Sequence, residues 1–341
     1  MKSYSQFVMY CLLLFSTSCK TDINQLKKEI SLQSNDTFKL SEDLKVTINN
    51  PKNHEINQIE YFLDGEAILA THALKPERVG QRQLEAKVSI EGESFNLTKD
   101  ITIFSDKIPE VYTFEIVNTY PHDINAYTQG LEFYNGELYE STGQYRESEL
   151  RKVDFKTGEV LQAIKLDDQF FGEGLTIKNN QIFQLTWREN MGFVYELDSF
   201  EKKSSFKYNQ SKEGWGICHN NDVLFKSDGS EKIWILDPDT QKEQSYLQAF
   251  HHKGKTIGLN ELEFINGKIY ANRYQLNGVA IINAENGAIE GVIDFSALKE
   301  KVTQHSKLDV LNGIAYHPER QTIFVTGKYW DKLFEVTISK K

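Results

Sequence analysis

A short block of residues recurs five times in the C-terminal two thirds of this chain, and no other feature restricts the fold as much. Each block has a polar or aromatic residue first, usually a glycine second and an apolar residue third. The apolar residues stand at positions 131, 175, 217, 262 and 314, so the spacings are 44, 42, 45 and 52. A period in the forties is typical of the blades of a β-propeller.

Each block is followed by further short runs of strand type, so that most repeats predict four strands. The second runs are at 138–139, 182–183, 224–225, 269–270 and 323–324. The last repeat ends one strand short near Ile338, and we expect residues 114–117 to supply the missing strand and cover the open edges. Residues 298–310 are read as a short helix or loop inserted in the fourth repeat. We therefore predict an all-β chain in which residues 107–341 form a five-bladed β-propeller.

The first residue of each block differs from repeat to repeat. In a propeller, equivalent positions of the blades surround one axis, so these five side chains should meet at one mouth of the central channel. They are Gln129, Glu173, Trp215, Asn260 and Asn312. One carboxylate, three amides and one indole provide an acid/base group, hydrogen-bond partners and an aromatic wall, as a site for a polar amide-bearing ligand needs.

The residues that follow the second runs should face the same mouth, namely Trp187, Asp228, Tyr274 and Lys328. A lysine in this place can stabilise a developing oxyanion. Structural roles stay open for several of these residues. Glu173 can cap backbone N–H groups, Trp187 and Trp215 can pack in the core, and Lys328 can pair with Asp228. The amides Gln129 and Asn312 can bridge backbone groups.

The segment 38–106 has a different pattern. Alternating apolar runs occur at 44–48, 59–63, 84–88 and 101–104, and Asp64-Gly65 after the second run is a hairpin turn signal. We predict a small Ig-like β-sandwich that precedes the propeller. No cluster of catalytic residue types occurs in this segment.

The N-terminus predicts export. Lys2 is the only charged residue among the first 19, an apolar run follows at 7–15, and small polar residues precede Cys19. This order is typical of a secretory signal. A cysteine in this place resembles the lipobox of bacterial lipoproteins, although Ser16 replaces the usual leucine, and a plain secretory signal is the alternative. We predict a lipoprotein signal peptide at 1–18, a lipidated Cys19 and a polar tether at 19–37, which place the chain in a bacterial periplasm or at a cell surface, anchored to a membrane.

Composition excludes several classes of function. A formal net charge of −10 opposes general binding of nucleic acid, which requires a basic face. No apolar run reaches the length of an ordinary spanning helix. The histidines do not recur at equivalent positions, and no Cys or His pair has metal-ligand spacing, so we expect no metal and no cofactor. A phosphate loop and a Gly-x-Ser-x-Gly elbow are also missing.

Seven motifs, in order and at family spacing, resemble the plant- and bacterial-type glutaminyl cyclases. They are Tyr127-Thr128-Gln129-Gly130-Leu131, Phe171-Gly172-Glu173-Gly174-Leu175, Leu185-Thr186-Trp187, Trp215-Gly216, Leu259-Asn260-Glu261-Leu262-Glu263, Leu311-Asn312-Gly313-Ile314-Ala315 and Thr326-Gly327-Lys328-Tyr329-Trp330. The likeness covers residues 114–338. It implies a five-bladed propeller with glutaminyl-peptide cyclotransferase activity, unrelated in fold to the zinc-dependent animal type.

Carried over residue by residue, the resemblance implies that Glu173 is the catalytic acid/base. It also implies a substrate pocket formed by Gln129, Trp187, Trp215, Asn260 and Lys328. The chain departs from the family at Tyr274, where the family often has a tryptophan.

The chemistry of glutamine cyclisation assigns tasks to these residues. We expect Glu173 to move a proton from the α-amine to the leaving amide nitrogen, and Asn260 and Lys328 to hold the carbonyl oxygen. The two tryptophans would clamp the methylene groups and Gln129 the peptide backbone, and Tyr274 and Asn312 complete the predicted substrate-binding set.

The predicted function is thus the metal-independent conversion of N-terminal glutamine of peptides or proteins to pyroglutamate with release of ammonia. The alternative is a cell-surface propeller that binds peptides or glycans without catalysis. A binding protein has little need to pair an acid/base group with an oxyanion partner, so Glu173 and Lys328 distinguish the two classes. We expect a monomer by default.

Overall fold

The structure is a computed structural model of the chain and describes residues 22–90 and 92–341. The predicted signal peptide at 1–18 and the predicted lipidation site Cys19 lie outside the described residues. The chain forms two compact units. The smaller takes residues up to Ser34 together with Lys45–Thr71 and Gln83–Lys99, and the larger takes Asn35–Leu44, His72–Arg82 and Asp100–Lys341.

The described elements up to residue 104 are a short helix followed by strands. They are α1 (Ile23–Glu29), β1 (Ser31–Gln33), β2 (Thr37–Lys39), β3 (Asp43–Lys45), β4 (Thr47–Asn49), β5 (Ile56–Leu63), β6 (Glu66–Ile68), β7 (Thr71–Ala73), β8 (Gly80–Ile90) and β9 (Glu93–Phe104).

The core of the smaller unit contains α1. Asp22 caps this helix by accepting a hydrogen bond from the backbone N–H of Asn24 at 2.9 Å. Leu26 and Ile30, one helical turn apart, are buried in one cluster with Ala86, Val88, Ile90 and Phe95. The described part of the predicted tether at 19–37 is therefore folded, because two apolar residues at helical spacing suffice to pack a short helix on a sheet.

The hairpin predicted in this unit is confirmed. The predicted runs at 59–63 and 84–88 lie within β5 and β8, which pair antiparallel with Tyr61 opposite Ala86. Asp64 and Gly65 have φ of 48° and 86° in the turn between β5 and β6. Positive φ at both turn positions matches the twist of a two-residue hairpin.

The remaining elements belong to the larger unit and are almost all strands. They are β10 (Glu110–Pro121), β11 (Thr128–Tyr134), β12 (Glu137–Thr142), β13 (Glu149–Asp154), β14 (Glu159–Lys165), β15 (Gly172–Lys178), β16 (Gln181–Thr186), β17 (Met191–Glu196), β18 (Lys202–Lys207), β19 (Ile217–His219), β20 (Leu224–Ser227), β21 (Lys232–Leu236), β22 (Glu243–Gln248), β23 (Phe250–His251), β24 (Gly254–Lys255), β25 (Leu259–Ile265), β26 (Lys268–Arg273), β27 (Gly278–Asn283), β28 (Ile289–Asp294), α2 (Ser296–Lys299), β29 (Leu311–His317), β30 (Thr322–Gly327) and β31 (Lys332–Lys340). The all-β prediction is confirmed, and α2 begins the predicted insertion.

Apart from the two-stranded pair β23 and β24, these strands form antiparallel groups of four. β11–β14, β15–β18 and β19–β22 are separate four-stranded sheets, whereas an eight-stranded sheet has the order β25-β26-β27-β28-β10-β31-β30-β29. β10 pairs antiparallel with β31 from Tyr112 to Pro121 and only briefly, in parallel, with β28. The strand predicted at 114–117 thus completes the last group, as expected.

The first strands of the five groups between Glu110 and Lys340 surround a common axis. They contact each other in the closed order β11, β15, β19, β25, β29 and back to β11. Their predicted apolar anchors are at most 1% exposed, namely Leu131, Leu175, Ile217, Leu262 and Ile314. Burial of each such side chain contributes about 1.5–3 kcal/mol, so the anchors fix the first strands against their neighbours.

Glycine in the second position of the block lets these strands approach closely. A Cβ on Gly174 would lie 2.7 Å from the Cα of Gly216, and a Cβ on Gly216 would lie 2.1 Å from the carbonyl oxygen of Asn260. In the fourth block Glu261 replaces the glycine, and its carboxylate accepts a hydrogen bond from the backbone N–H of Ile314 at 2.9 Å. The first residues of the blocks are therefore held close around the axis.

Among the helices of the described residues, none is long and apolar enough to span a membrane.

Candidate active site

A cavity of about 260 Å³ lies at the end of the axis where the first strands begin. Its lining residues are Tyr127, Gln129, Gln144, Phe171, Glu173, Trp187, Trp215, Asn260, Tyr274 and Lys328. The lining contains every predicted catalytic residue and every predicted substrate-binding residue except Asn312. The strand register explains this, since Glu173 and Asn260 are second in their strands, and Trp187, Tyr274 and Lys328 directly follow the second strands.

Glu173 is the carboxyl group at the base of this cavity and is 4% exposed. Its Oε1 accepts a hydrogen bond from Gln129 Nε2 at 2.9 Å, whereas its buried Oε2 has no partner among the described residues. Burial raises the pKa of Glu173 well above 4.5, and the nearby charges of Glu213 and Glu189 act in the same direction. Lys328 opposes this change in pKa, but burial is the larger effect.

Two amides extend the hydrogen-bond chain from Glu173. Asn312 is fully buried and donates from Nδ2 to Gln129 Oε1 at 3.2 Å and to the carbonyl oxygen of Thr128 at 3.0 Å. Gln129 must therefore accept through its oxygen and donate through its nitrogen to Glu173. Asn312 lies behind Gln129 and outside the cavity lining, so its contact is with Gln129 and not with the predicted substrate position.

Lys328 brings a positive charge to the cavity lining and is 2% exposed. Its Nζ lies 4.5 Å from the ring centre of Tyr127 and 5.4 Å from that of Tyr274. Burial lowers the pKa of Lys328, and the charges of Glu173 and Asp309 raise it. Aromatic faces stabilise the ammonium without neutralising it, so the charge remains available to a ligand.

Asn260 lines the cavity beside these charges and is 2% exposed. Its backbone carbonyl accepts a hydrogen bond from Ser227 Oγ at 2.7 Å, which fixes the main chain. Its buried Oδ1 has no hydrogen-bond partner among the described residues. A buried amide without partners is costly unless a ligand completes its hydrogen bonds.

Aromatic side chains form the remaining walls. Trp187 packs on Phe171 with ring centres 5.4 Å apart, and Trp215 meets Tyr274 edge to face at 5.5 Å. The Nε1 atoms of both indoles donate to the same oxygen of Glu213. Both indoles line the cavity, where their rings can pack on an aliphatic ligand.

Sequence reasoning missed Tyr127, Phe171 and Gln144 in the cavity and Glu213 behind it. Tyr127 and Phe171 lie two residues before Gln129 and Glu173, so the repeat itself carried a signal for both. The expectation for Asp228 is wrong: its carboxylate accepts hydrogen bonds from the backbone N–H of Ser230 and from Trp234 Nε1, and it does not line the cavity. The alternative pairing of Lys328 with Asp228 is also not formed between these two described residues.

Within residues 22–90 and 92–341, no three His, Cys, Asp or Glu side chains are grouped as metal ligands. The lining of the cavity combines amides, one carboxyl, one ammonium and aromatic rings.

A sequence model of the glutamine cyclotransferase family matches residues 88–338, a range that includes every residue of the cavity lining. This chain belongs to the glutamine cyclotransferase family. The match begins earlier than the likeness at 114–338 that the motifs alone indicated.

Two relatives support the assignment. A glutaminyl-peptide cyclotransferase of Arabidopsis thaliana is 38% identical over 252 residues, which are 73% of this chain and 77% of that protein. The crystal structure of Myxococcus xanthus glutaminyl cyclase is 34% identical, with a TM-score of 0.64, and the alignment covers 68% of this chain and 99% of that one. Family membership thus rests on both sequence and fold.

Proposed function

We propose that this protein is a glutaminyl-peptide cyclotransferase that converts N-terminal glutamine of peptides or proteins to pyroglutamate and releases ammonia. The observation that carries the proposal is the buried carboxyl of Glu173, one oxygen of which has no partner in the described part of the chain, inside an aromatic cavity that also holds Lys328. The family model and both relatives support the same activity.

The reaction joins two groups of one residue. The α-amine nitrogen attacks the γ-amide carbonyl carbon, a C–N bond forms to close the five-membered ring, and the bond to the amide nitrogen breaks to release ammonia. Because the reaction is intramolecular, the protein has to fold the side chain back and move protons. The walls formed by Trp187, Trp215 and Tyr274 suit the methylene groups of such a folded side chain.

Glu173 acts as the general acid and base. It takes the proton that the attacking nitrogen loses and delivers it to the leaving amide nitrogen, so that no net proton is consumed by the protein. Burial raises the pKa of Glu173 well above 4.5, which makes its carboxylate a stronger base towards the α-amine proton. Gln129 holds Oε1, which leaves Oε2 as the atom that exchanges the proton.

Lys328 and Asn260 stabilise the oxygen that gains charge. The ammonium of Lys328 and the side-chain amide of Asn260 line the same cavity and are both almost fully buried, so their interaction with an oxyanion is weakly screened. Asn312 orients Gln129, and Gln129 in turn orients Glu173 and contacts the peptide backbone. No step requires a metal ion or a cofactor.

We further propose that residues 107–341 form a five-bladed β-propeller and residues 38–106 an Ig-like β-sandwich. The closed order of the five first strands and the strand that β10 adds to the last group support the propeller. The antiparallel pairing of β5 with β8 supports the sandwich. We also propose that the chain is a monomer exported to the periplasm or cell surface and held on a membrane by lipidated Cys19, on the order of residues at 1–19.

The experiment that tests the activity uses the chain from Lys20 onward and a peptide with N-terminal glutamine. Ammonia release and a mass loss of about 17 Da, one ammonia per cyclisation, are expected with and without a chelator. A peptide with N-terminal asparagine, which would need a four-membered ring, is the matched negative substrate. Binding of the glutamine peptide without ammonia release would favour the alternative, a propeller that binds peptides without catalysis.

A further inference from the structure

Glu213 holds the two tryptophan walls of the cavity together. Trp187 Nε1 donates to Glu213 Oε2 at 2.8 Å, and Trp215 Nε1 donates to the same oxygen at 2.9 Å. The two indoles come from different groups of strands, so this carboxylate is a direct link between them. Hydrogen bonds to an ionised acceptor are about twice as strong as neutral ones.

A second contact fixes one of the indoles from outside. The guanidinium carbon of Arg188 lies 3.7 Å from the ring centre of Trp187, and Arg188 Nε is 3.5 Å from the other oxygen of Glu213. Trp187 is therefore held at its edge by the carboxylate and on one face by the guanidinium. Phe171 also packs against Trp187, with ring centres 5.4 Å apart, so the indole has little freedom.

The loop that carries Glu213 is anchored by a buried ion pair. Lys226 and Glu243 have fully buried side chains 3.2 Å apart. Lys226 Nζ donates to the carbonyl oxygen of Glu213 at 2.9 Å, and Glu243 accepts from the backbone N–H groups of Gln210 and Ser211. A buried pair with this many hydrogen bonds fixes a loop conformation.

We propose that Glu213 is a positioning residue, which sets the separation of Trp187 and Trp215 and thereby the affinity of the cavity for the folded side chain of the substrate. The identity of the substrate rests on the proposed function. The clamp, meaning Glu213 with its hydrogen bonds to the two indoles, does not. Glu213 itself does not line the cavity, so it acts through the two indoles.

The test compares Glu213→Ala and Glu213→Gln with the wild-type chain. Loss of both charged hydrogen bonds should raise KM about 10-fold or more in Glu213→Ala and lower kcat less than about three-fold. Glu213→Gln keeps an acceptor oxygen and should restore most of the affinity. If the alanine variant does not fold, Glu213→Gln still tests the proposal, because replacing the charged acceptor should move the indole signals of Trp187 and Trp215.

A spectroscopic measurement separates the clamp from the activity. The chain has four tryptophans, so a nitrogen–proton correlation spectrum should contain four indole signals. Trp234 and Trp330 donate their indole protons to Asp228 and to the carbonyl oxygen of Asp309, respectively. Glu213→Ala should therefore move two indole signals and leave two in place, whether or not the protein releases ammonia.

Glu189→Gln is the matched control. Glu189 accepts a hydrogen bond from Tyr145, and its charge raises the pKa of Glu173 as that of Glu213 does, but it makes no hydrogen bond to either indole. It should leave KM within about three-fold of wild type. An unchanged KM with unmoved indole signals in Glu213→Ala, or an equal rise of KM in Glu189→Gln, would overturn the proposal.

Discussion

The two ends of the axis both contain buried carboxyl groups, yet their surroundings differ. At the far end, Glu132 and Glu263 line a larger cavity of about 440 Å³, and each accepts a hydrogen bond from a backbone N–H, of Ile177 and Tyr316 respectively. Burial raises the pKa of both carboxyls, as it raises that of Glu173. Cavity volume and a raised pKa therefore do not identify the reactive end.

What distinguishes Glu173 is the set of groups around it. Its carboxyl has an amide partner on one oxygen and, within residues 22–90 and 92–341, none on the other, and an ammonium and several aromatic rings line the same cavity. The far carboxyls connect neighbouring strands through the backbone, as Glu261 does through Ile314. The proposed acid/base role depends on this oxygen and on the buried ammonium of Lys328, and no lysine or arginine is among the residues that line the far cavity.

The largest expected difference between the ends is in turnover. Glu173→Gln should lower kcat about 10³-fold, since a positioned general acid/base contributes about 10²–10⁴-fold. Glu263→Gln, the same change on a buried carboxyl of the other end, should leave kcat within about three-fold. Ammonia release under saturating peptide measures both. Equal losses in the two variants would remove the distinction.

Lys328 should account for the next largest effect. Lys328→Met should lower kcat about 10²-fold, because a buried charge that stabilises the oxyanion is lost. The charge of Lys328 also lowers the pKa of Glu173. Loss of this charge should therefore move the limb of the pH–kcat profile that reports the titration of Glu173 to higher pH. Lys307→Met, on an exposed lysine nearby, is the control. A limb that stays in place or moves to lower pH contradicts this assignment.

The carboxyls of the far end should affect stability instead. Burial raises the pKa of Glu132 from 4.5 to about 8, so the folded chain keeps a proton that the unfolded chain releases. The stability from this protonation is complete below about pH 4.5 and is lost as the pH rises towards 8. Between pH 5 and pH 8, wild type should lose more than about 1 kcal/mol of unfolding free energy relative to Glu132→Gln. Denaturant unfolding of both proteins at both pH values measures this difference. Equal losses of unfolding free energy in wild type and Glu132→Gln would contradict it.

The repeat made the end of the axis that holds the candidate active site predictable from the sequence. Positions such as Glu173 and Lys328 have fixed places relative to the strands, so the register of the repeat brings them together whatever the details of packing. The role of Asn312 was not predictable, because whether an amide faces a cavity or a neighbouring amide depends on side-chain packing. Glu213 lies on a loop between strands, where no period applies.

The smaller unit shows the same limit. Strands such as β5, with an alternating pattern and a turn of known type, were predicted correctly. The helix α1 was not, because it has only seven residues and its stability comes from burial of Leu26 and Ile30 against a sheet. Tertiary packing of this kind leaves little periodicity in the sequence.

The most direct test of the central claim is the infrared difference spectrum between wild type and Glu173→Gln as a function of pH. Because burial raises the pKa of Glu173, the wild-type chain should show, at pH values well above 4.5, a protonated carboxyl band that the variant lacks. That band should extend to still higher pH in Lys328→Met. A carboxylate that titrates near 4.5 would contradict the assignment of Glu173 as the group that carries the transferred proton.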